Sequence, residues 1–250
     1  SLGLVGSEMC IRDRNYIGGK MRKVKVGLIR VVTLGDKELM ELHGKIIEKN
    51  IPELIVISEC IPNQPYGIYD EISEREAIPK IISLGVKMVK KDVRALIVSC
   101  AADPGVIELR RKVNVPVIGA GSAVAHIAAS IADEIGVLTM AGELPKVISE
   151  ILGDKIKATA YPANVKNTLD LMRNETLNEI FRAARKLEEA GCKVILLACT
   201  GYSTINAAEK LRKVVNIPVI DPVVASGYVT LMAIKSCLLY TSDAADDGES

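Results

Sequence analysis

The amino-acid sequence predicts an α/β fold with parallel sheets, in which one unit of strands and helices is used twice. Three observations favour this fold. Short apolar strands alternate with helical segments, the same order returns in the second half, and a cysteine follows a strand at the same place in each half. Strands that are separated by helices pair in parallel, with the helices covering the faces of the sheet.

The first half of the chain shows three strand patterns and two helical patterns. The strands are short apolar runs rich in β-branched residues, and the helices show apolar residues three and four positions apart. A stretch rich in Pro, Gly and Asn predicts a loop. In chain order these are a strand at residues 24–32, a helix at 36–49, a strand at 54–58, the loop at 61–73, a helix at 74–90 and a strand at 94–99.

The second half repeats this order. Its predicted elements are a strand at residues 135–140, a helix at 144–152, a strand at 156–161, a helix at 175–190 and a strand at 193–198. The match is best between residues 94–123 and 192–225, where each copy has a strand, a cysteine, a turn of small residues, a helix with a basic end, and then Asn, Pro, Val and Ile. All βαβ units share the strands, but they do not share the cysteine, so we interpret the chain as a duplication.

Composition excludes several classes of function. The 250 residues include 32 basic and 31 acidic side chains, and the aromatic residues are seven Tyr and one Phe. This balanced charge and the scarcity of aromatic rings predict no binding to nucleic acid. No apolar run approaches the roughly 18 residues of a membrane span. The six cysteines form no CxxC pair, which favours a reduced, cytoplasmic protein over a disulfide scaffold.

The two ends of the chain are expected to lie outside the fold. Residues 9–13 and 237–241 can be encoded by opposite strands of one DNA element, which is typical of a sequencing adapter. We therefore assign residues 1–14 and 236–250 to adapter-derived sequence. This assignment leaves four cysteines: Cys60, Cys100, Cys192 and Cys199.

Cys100 and Cys199 each follow a predicted strand at its carboxyl end, the edge where ligand sites of open α/β sheets lie. The helix N-termini that come next are expected to lower the thiol pKa values and to bind an anion. Either cysteine alone fits a small buried apolar residue, but two at equivalent places of a repeat point to a shared site. One thiolate and one thiol on opposite sides of a molecule can remove a proton and return it to the other face, which racemises an acidic carbon.

Four motifs carry a resemblance to a known family. SCAADPG (residues 99–105), VPVIGAGSA (115–123), IGVLT (135–139) and ACTGYST (198–204) resemble the aspartate/glutamate/hydantoin racemase superfamily, above all its hydantoin racemase-like branch. The resemblance extends over residues 21–235 and implies two pseudo-symmetric Rossmann-like lobes with the active site in the cleft between them. Residues 21–116 with 222–235 would form lobe 1, and residues 117–221 would form lobe 2.

The resemblance also implies roles for individual residues. Cys100 and Cys199 would be the acid/base pair, and no cofactor would be needed. The remaining implied site residues would hold the substrate or line the cleft: Ala101, Thr200, Gly201, Gly119, Gly121, Ser122 and Thr139. The family has an Asn-rich turn after the first strand, whereas residues 30–33 of this chain read Arg-Val-Val-Thr. Amino-acid racemases of the family place a His or Glu after the second cysteine, whereas this chain has Gly201 and Tyr202 there. Free aspartate or glutamate is therefore a less favoured substrate.

Other residues allow two interpretations. Arg30 at the end of the first strand could anchor a substrate carboxylate or could be a solvated or ion-paired residue. Asp103 before Pro104 is expected to cap the helix that starts there. His43, placed on a polar helix, and His126 have no partners at metal-ligand spacing, so no metal site is expected. The loop at residues 61–73 fits a lid or a plain surface loop.

The sequence thus predicts a cofactor-independent racemase or epimerase that acts on a small molecule, an amino acid or a hydantoin-like derivative. Two alternatives stay open: a cysteine-dependent cis–trans isomerase that forms a covalent adduct, and a non-enzymatic two-lobed accessory or ligand-binding protein. We also expect a homo-oligomer that has no membrane or nucleic-acid partner.

Overall fold

The computed structural model describes residues 16–17, 20–21, 23–165, 170–173 and 175–243. The predicted adapter-derived residues 1–14 lie outside this described part, and so do residues 244–250 of the other tail. The last helix continues to Asp243.

The described strands form two parallel sheets and one short antiparallel hairpin. They are β1 (Tyr16–Ile17), β2 (Lys20–Met21), β3 (Val24–Arg30), β4 (Leu54–Cys60), β5 (Leu96–Ser99), β6 (Val117–Gly119), β7 (Ile135–Leu138), β8 (Ile156–Ala160), β9 (Val194–Leu197) and β10 (Val219–Ile220). The first sheet has the order β4-β3-β5-β6 and the second the order β10-β9-β7-β8. Every pair within these two sheets is parallel, which confirms the predicted fold class.

Helices follow most of the strands. They are α1 (Lys37–Asn50), α2 (Glu71–Val89), α3 (Val106–Arg110), α4 (Ala120–Ile131), α5 (Lys146–Leu152), α6 (Thr176–Glu189), α7 (Gly201–Thr204), α8 (Ala207–Leu211) and α9 (Pro222–Asp243), with short 3-10 turns at Gly153–Lys155 and Asp170–Met172. In the part of the chain that the structure describes, none of these helices is both long and apolar enough to span a membrane.

Apolar residues cover both faces of each sheet, as a parallel sheet requires. In the first sheet α2 and α3 pack on one face, and α1 and α9 pack on the other. In the second sheet α6, α7 and α8 pack on one face, and α4 and α5 pack on the other. Helix α9 joins the two halves, because Val223 and Ile234 enter the core of the first sheet and Ala225 enters that of the second.

Local hydrogen bonds explain where some elements begin. Helix α2 begins at Glu71, before the predicted residue 74, because Asp70 and Ser73 form a capping box. The Asp70 carboxylate accepts from the Ser73 N–H at 2.7 Å, and the Ser73 hydroxyl accepts from the Asp70 N–H at 3.1 Å. Asp36 caps α1 by accepting from the N–H groups of Glu38 and Leu39.

Candidate active site

The two cysteines that the sequence predicts to be catalytic follow equivalent strands. β5 ends at Ser99 and β9 ends at Leu197, so Cys100 and Cys199 lie at the carboxyl edges of the two sheets. Both cysteines are partly buried free thiols. Burial is the main reason that the pKa of Cys100 is raised to about 12. One backbone hydrogen bond lowers this pKa, and the nearby Cys199 raises it.

The surroundings of the two thiols differ. The Gly201 N–H donates to the Cys199 sulfur at 3.4 Å, and the Cys199 thiol lies 3.8 Å from the Met140 sulfur. Burial raises the pKa of Cys199, while backbone hydrogen bonds from Gly201 and Tyr202 lower it. Cys100 has one such bond and, in addition, two neighbouring carboxylates, those of Asp103 and Glu74. The Cys199 thiolate is therefore the better stabilised of the two.

The expectation that helix N-termini lower both thiol pKa values is wrong. Helix α3 begins only at Val106, several residues beyond Cys100, and α7 after Cys199 has four residues. Neither presents the end of a long helix to the sulfur, so the cost of burying a charged thiolate dominates at both positions.

Cys199 is expected to be alkylated at lower pH than Cys100, because its thiolate has more hydrogen bonds and no neighbouring carboxylate. Iodoacetamide labelling from pH 7 to 10, followed by peptide mass spectrometry, measures each site separately. Cys60, whose pKa is also raised by burial, serves as an internal reference. Alkylation of Cys100 at a lower pH than Cys199 would contradict the inference that the Cys199 thiolate is the better stabilised of the two.

Asp103 caps a helix, but not the predicted one. Its carboxylate accepts from the N–H groups of Gly121 at 2.6 Å and Ser122 at 2.8 Å, at the start of α4. Helix α3 has Gly105 at its N-cap, with a φ of 67° and no side-chain cap. The prediction of a local cap was therefore wrong, because the carboxylate turns away from its own helix toward one that begins far along the chain.

In the second half, a different aspartate accepts from the N–H groups at the start of the corresponding helix. Asp221, just before α9, accepts from the N–H groups of Val223 at 2.9 Å and Val224 at 3.0 Å. In the repeat alignment Asp221 corresponds to Gly119. A Cβ at Gly119 would lie 2.1 Å from the Asp103 carboxyl carbon, so the Asp103 carboxylate occupies the space that the Asp221 side chain uses in the other half.

Several predicted substrate-binding residues make contacts within the protein. The Thr200 hydroxyl donates to the Ser99 carbonyl at 3.2 Å, which links the two cysteine segments directly. Thr139 is buried, and its carbonyl accepts from the Tyr202 hydroxyl at 2.8 Å. A Cβ at Gly121 would lie 2.0 Å from the Ala101 carbonyl oxygen, so this glycine admits the loop after Cys100. Their contacts with a substrate, like those of Gly119, Ser122 and Gly201, stay predictions.

Comparison with known proteins decides the family. The family model described as Asp/Glu/Hydantoin racemase matches residues 40–226, which include both cysteine segments. The chain belongs to this racemase family. It is therefore an enzyme, an isomerase of the racemase class that acts on a small molecule. The match confirms the family that the motifs predict. It also favours an enzyme over the non-enzymatic accessory protein that the sequence left open.

Relatives of this racemase include two curated hydantoin racemases. That of Pseudomonas sp. (strain NS671) is 30% identical over 200 residues, covering 77% of this chain and 78% of the relative. That of Rhizobium meliloti is 27% identical over 174 residues, covering 65% and 69%. Among solved structures, allantoin racemase from Klebsiella pneumoniae superposes with a TM-score of 0.75 at 21% identity, covering 85% of this chain and 88% of the other. The likeness confirms the two-lobed fold.

Arg30 of the racemase is buried at the end of β3. Its guanidinium donates to the carbonyls of Leu39 at 2.5 Å and Met40 at 3.3 Å, within α1. Burial lowers its pKa to about 10, and the nearby Cys60 opposes that shift. These bonds tie the first strand to α1, and a role of Arg30 toward a substrate carboxylate stays a prediction.

His43 lies in a different environment from the one that the sequence predicts. The sequence predicts this residue on a polar helix, whereas the side chain is 1% exposed and bonds to the hydroxyls of Ser99 and Thr204. The signal was present, because Ile47 one turn later also lies on the buried stripe of α1. His126, in contrast, is exposed and bonds to the Ser122 carbonyl of its own helix.

The predicted loop at residues 61–73 is held by the buried side chain of Gln64, which donates to the carbonyls of Gly67 at 3.0 Å and Ser73 at 3.1 Å. Its Tyr66 and Tyr69 are exposed. A lid function for this loop stays a prediction. Within the described residues, no group of three or more His, Cys, Asp or Glu side chains could hold a metal ion.

Proposed function

We propose that this chain is a cofactor-independent racemase or epimerase of a hydantoin-like amino acid derivative, in which Cys100 and Cys199 transfer the proton. One observation carries the proposal: a partly buried free thiol follows the corresponding strand in each copy of the duplicated unit. The names of the curated relatives support hydantoins as the substrate class.

The chemistry requires one thiolate and one thiol. The thiolate removes the proton from the carbon between the ring nitrogen and the ring carbonyl, and the electron pair delocalises onto that carbonyl. The thiol on the opposite face then protonates the same carbon. The first cysteine ends as a thiol and the second as a thiolate, so the charge balances and the roles exchange for the reverse reaction.

The difference between the two thiols assigns a resting state. Burial raises the pKa of both thiols, but two backbone hydrogen bonds oppose this rise at Cys199 and only one at Cys100, so Cys199 is the first of the two to lose its proton and acts as the base in the first turnover. Two like groups beside one ligand tend to separate in this way, since one charge disfavours the other. The enantiomer whose proton faces Cys199 then reacts first.

The charge near Cys100 favours a substrate without a carboxylate. Helix N-termini attract anions, but the Asp103 carboxylate already takes the N–H groups of Gly121 and Ser122 at the start of α4. A second carboxylate there would be repelled and would lack these donors. A neutral ring avoids both costs, which supports a hydantoin over free aspartate or glutamate.

Polarimetry tests the substrate class. Purified protein is expected to bring the optical rotation of a single-enantiomer 5-substituted hydantoin to zero faster than buffer does, and to leave aspartate and glutamate unchanged. The Cys199→Ala variant, prepared in the same way, shows whether a co-purifying racemase contributes. Racemisation of free glutamate or aspartate without any effect on hydantoins would overturn the proposed substrate class.

A further inference from the structure

His43 lies deep in the protein beside both cysteine segments. Gly44, its neighbour on α1, lets the helix approach β4 closely, because a Cβ there would lie 2.6 Å from the Ser58 hydroxyl. This close approach brings His43 to the carboxyl edge of the first sheet, where its side chain is 1% exposed.

The imidazole bonds to one residue of each half. Its Nδ1 lies 2.8 Å from the Ser99 hydroxyl, and its Nε2 lies 3.0 Å from the Thr204 hydroxyl. Ser99 immediately precedes Cys100, and Thr204 ends α7, the short helix that begins two residues after Cys199. A single buried side chain therefore connects the segments that carry the two thiols.

His43 is neutral near pH 7. Burial, and then the positive charge of Arg30, hold the pKa of His43 well below its usual value of 6.5. A neutral imidazole has one donor and one acceptor nitrogen, and each hydroxyl can take either role. Both ring nitrogens therefore have a hydrogen-bond partner, and no charge is buried between the two halves.

We infer that His43 is a positioning residue, which holds the Cys100 and Cys199 segments at a fixed separation through Ser99 and Thr204. This inference rests on the proposed two-thiol function. The substrate carbon must fit between the two sulfurs, and a displacement of about 1 Å in a catalytic group can lower a rate by about 100-fold. A buried side chain that bonds to Ser99 and Thr204 can therefore control the rate.

Four substitutions separate positioning from general stability. Thr204→Val and Ser99→Ala each remove one hydroxyl, and His43→Leu removes both bonds. We expect kcat on the hydantoin substrate to fall by up to about 100-fold in His43→Leu with little change in KM, since the thiols lose their alignment. His43→Gln keeps one donor and one acceptor and should recover part of kcat. His126→Ala, at the other histidine, is the matched control.

A second measurement is independent of activity. The proposed shared site predicts that a short bifunctional thiol reagent such as dibromobimane cross-links Cys100 to Cys199, and peptide mass spectrometry gives the yield. The yield is expected to fall in His43→Leu and in Thr204→Val relative to wild type and His126→Ala, and to recover in His43→Gln. If wild type does not racemise hydantoins, the proposed function fails, but the cross-link yields still test the positioning role.

Coupling between the two hydroxyls completes the test. Ser99→Ala and Thr204→Val should have non-additive effects on cross-link yield in the wild-type background and additive effects in a His43→Leu background. The Ser99 and Thr204 variants each lose a single hydroxyl, and a melting curve confirms that they fold. Unchanged cross-linking and kcat in these variants, with only a lower melting temperature, would overturn the inference and leave His43 a structural residue.

Discussion

Replacing either Cys100 or Cys199 with serine is expected to lower the kcat of racemisation by about 10²- to 10⁴-fold, the usual contribution of one general acid or base. Serine keeps the size of the side chain, but its hydroxyl is a far weaker acid than a thiol. Because each turnover uses both groups, the double variant should be little worse than either single variant. Polarimetry on a 5-substituted hydantoin measures each rate.

Two of the other cysteines, Cys60 and Cys192, provide the controls. Cys60 is partly buried at the end of β4 and Cys192 is buried at 2% exposure before β9, and the proposed chemistry uses neither thiol. Cys60→Ser should retain wild-type kcat. A Cys100→Ser protein that keeps more than about one tenth of the wild-type kcat would exclude Cys100 from general acid–base catalysis.

The substitution Gly119→Ala is expected to destabilise the protein by about 1–3 kcal/mol, the usual cost of overpacking. The new Cβ would lie 2.1 Å from the Asp103 carboxyl carbon, and both oxygens of that carboxylate are held by N–H groups of α4. The carboxylate must move and leave those donors unpaired. Denaturant unfolding measures the change, and Gly35→Ala, where nothing lies within 4 Å of the added Cβ, is the control.

A double substitution tests the reason for this loss. Gly119→Asp combined with Asp103→Ala transfers the arrangement of Asp221 in the second half to the first half. The two changes should compensate, with a coupling free energy of about 0.5–3 kcal/mol in a double-mutant cycle. Purely additive effects would show that the two carboxylates do not serve the same purpose.

The sequence could predict the fold and the cysteine pair because both depend on local patterns. Alternating strands and helices define a parallel sheet, and the positions of Cys100 and Cys199, one and two residues after their strands, fix their edge of the sheet. The predicted elements differ from the structure mainly at their ends, as at α2, where the capping box of Asp70 and Ser73 adds three residues.

The sequence could not predict interactions between distant segments. Asp103 looked like a local helix cap, but its bonds go to residues 121 and 122, and only the folded chain brings those groups together. His43 looked polar because the surface residues of α1 surround it in sequence. The raised pKa values of Cys100 and Cys199 also depend on burial, which the spacing of residues does not measure.

The most direct test of two thiols on opposite faces is the position of deuterium early in a reaction in heavy water. A single-enantiomer hydantoin is incubated with the enzyme in heavy water to low conversion, and the two enantiomers are then separated. Mass spectrometry measures the deuterium content of each enantiomer, and the exchange that occurs in buffer without enzyme is subtracted. Because one cysteine removes the proton and the other supplies a solvent-derived deuteron, the new enantiomer should carry deuterium while the remaining substrate keeps its proton. A product that retains the original proton would mean that one group carries it across, and would contradict the two-thiol account.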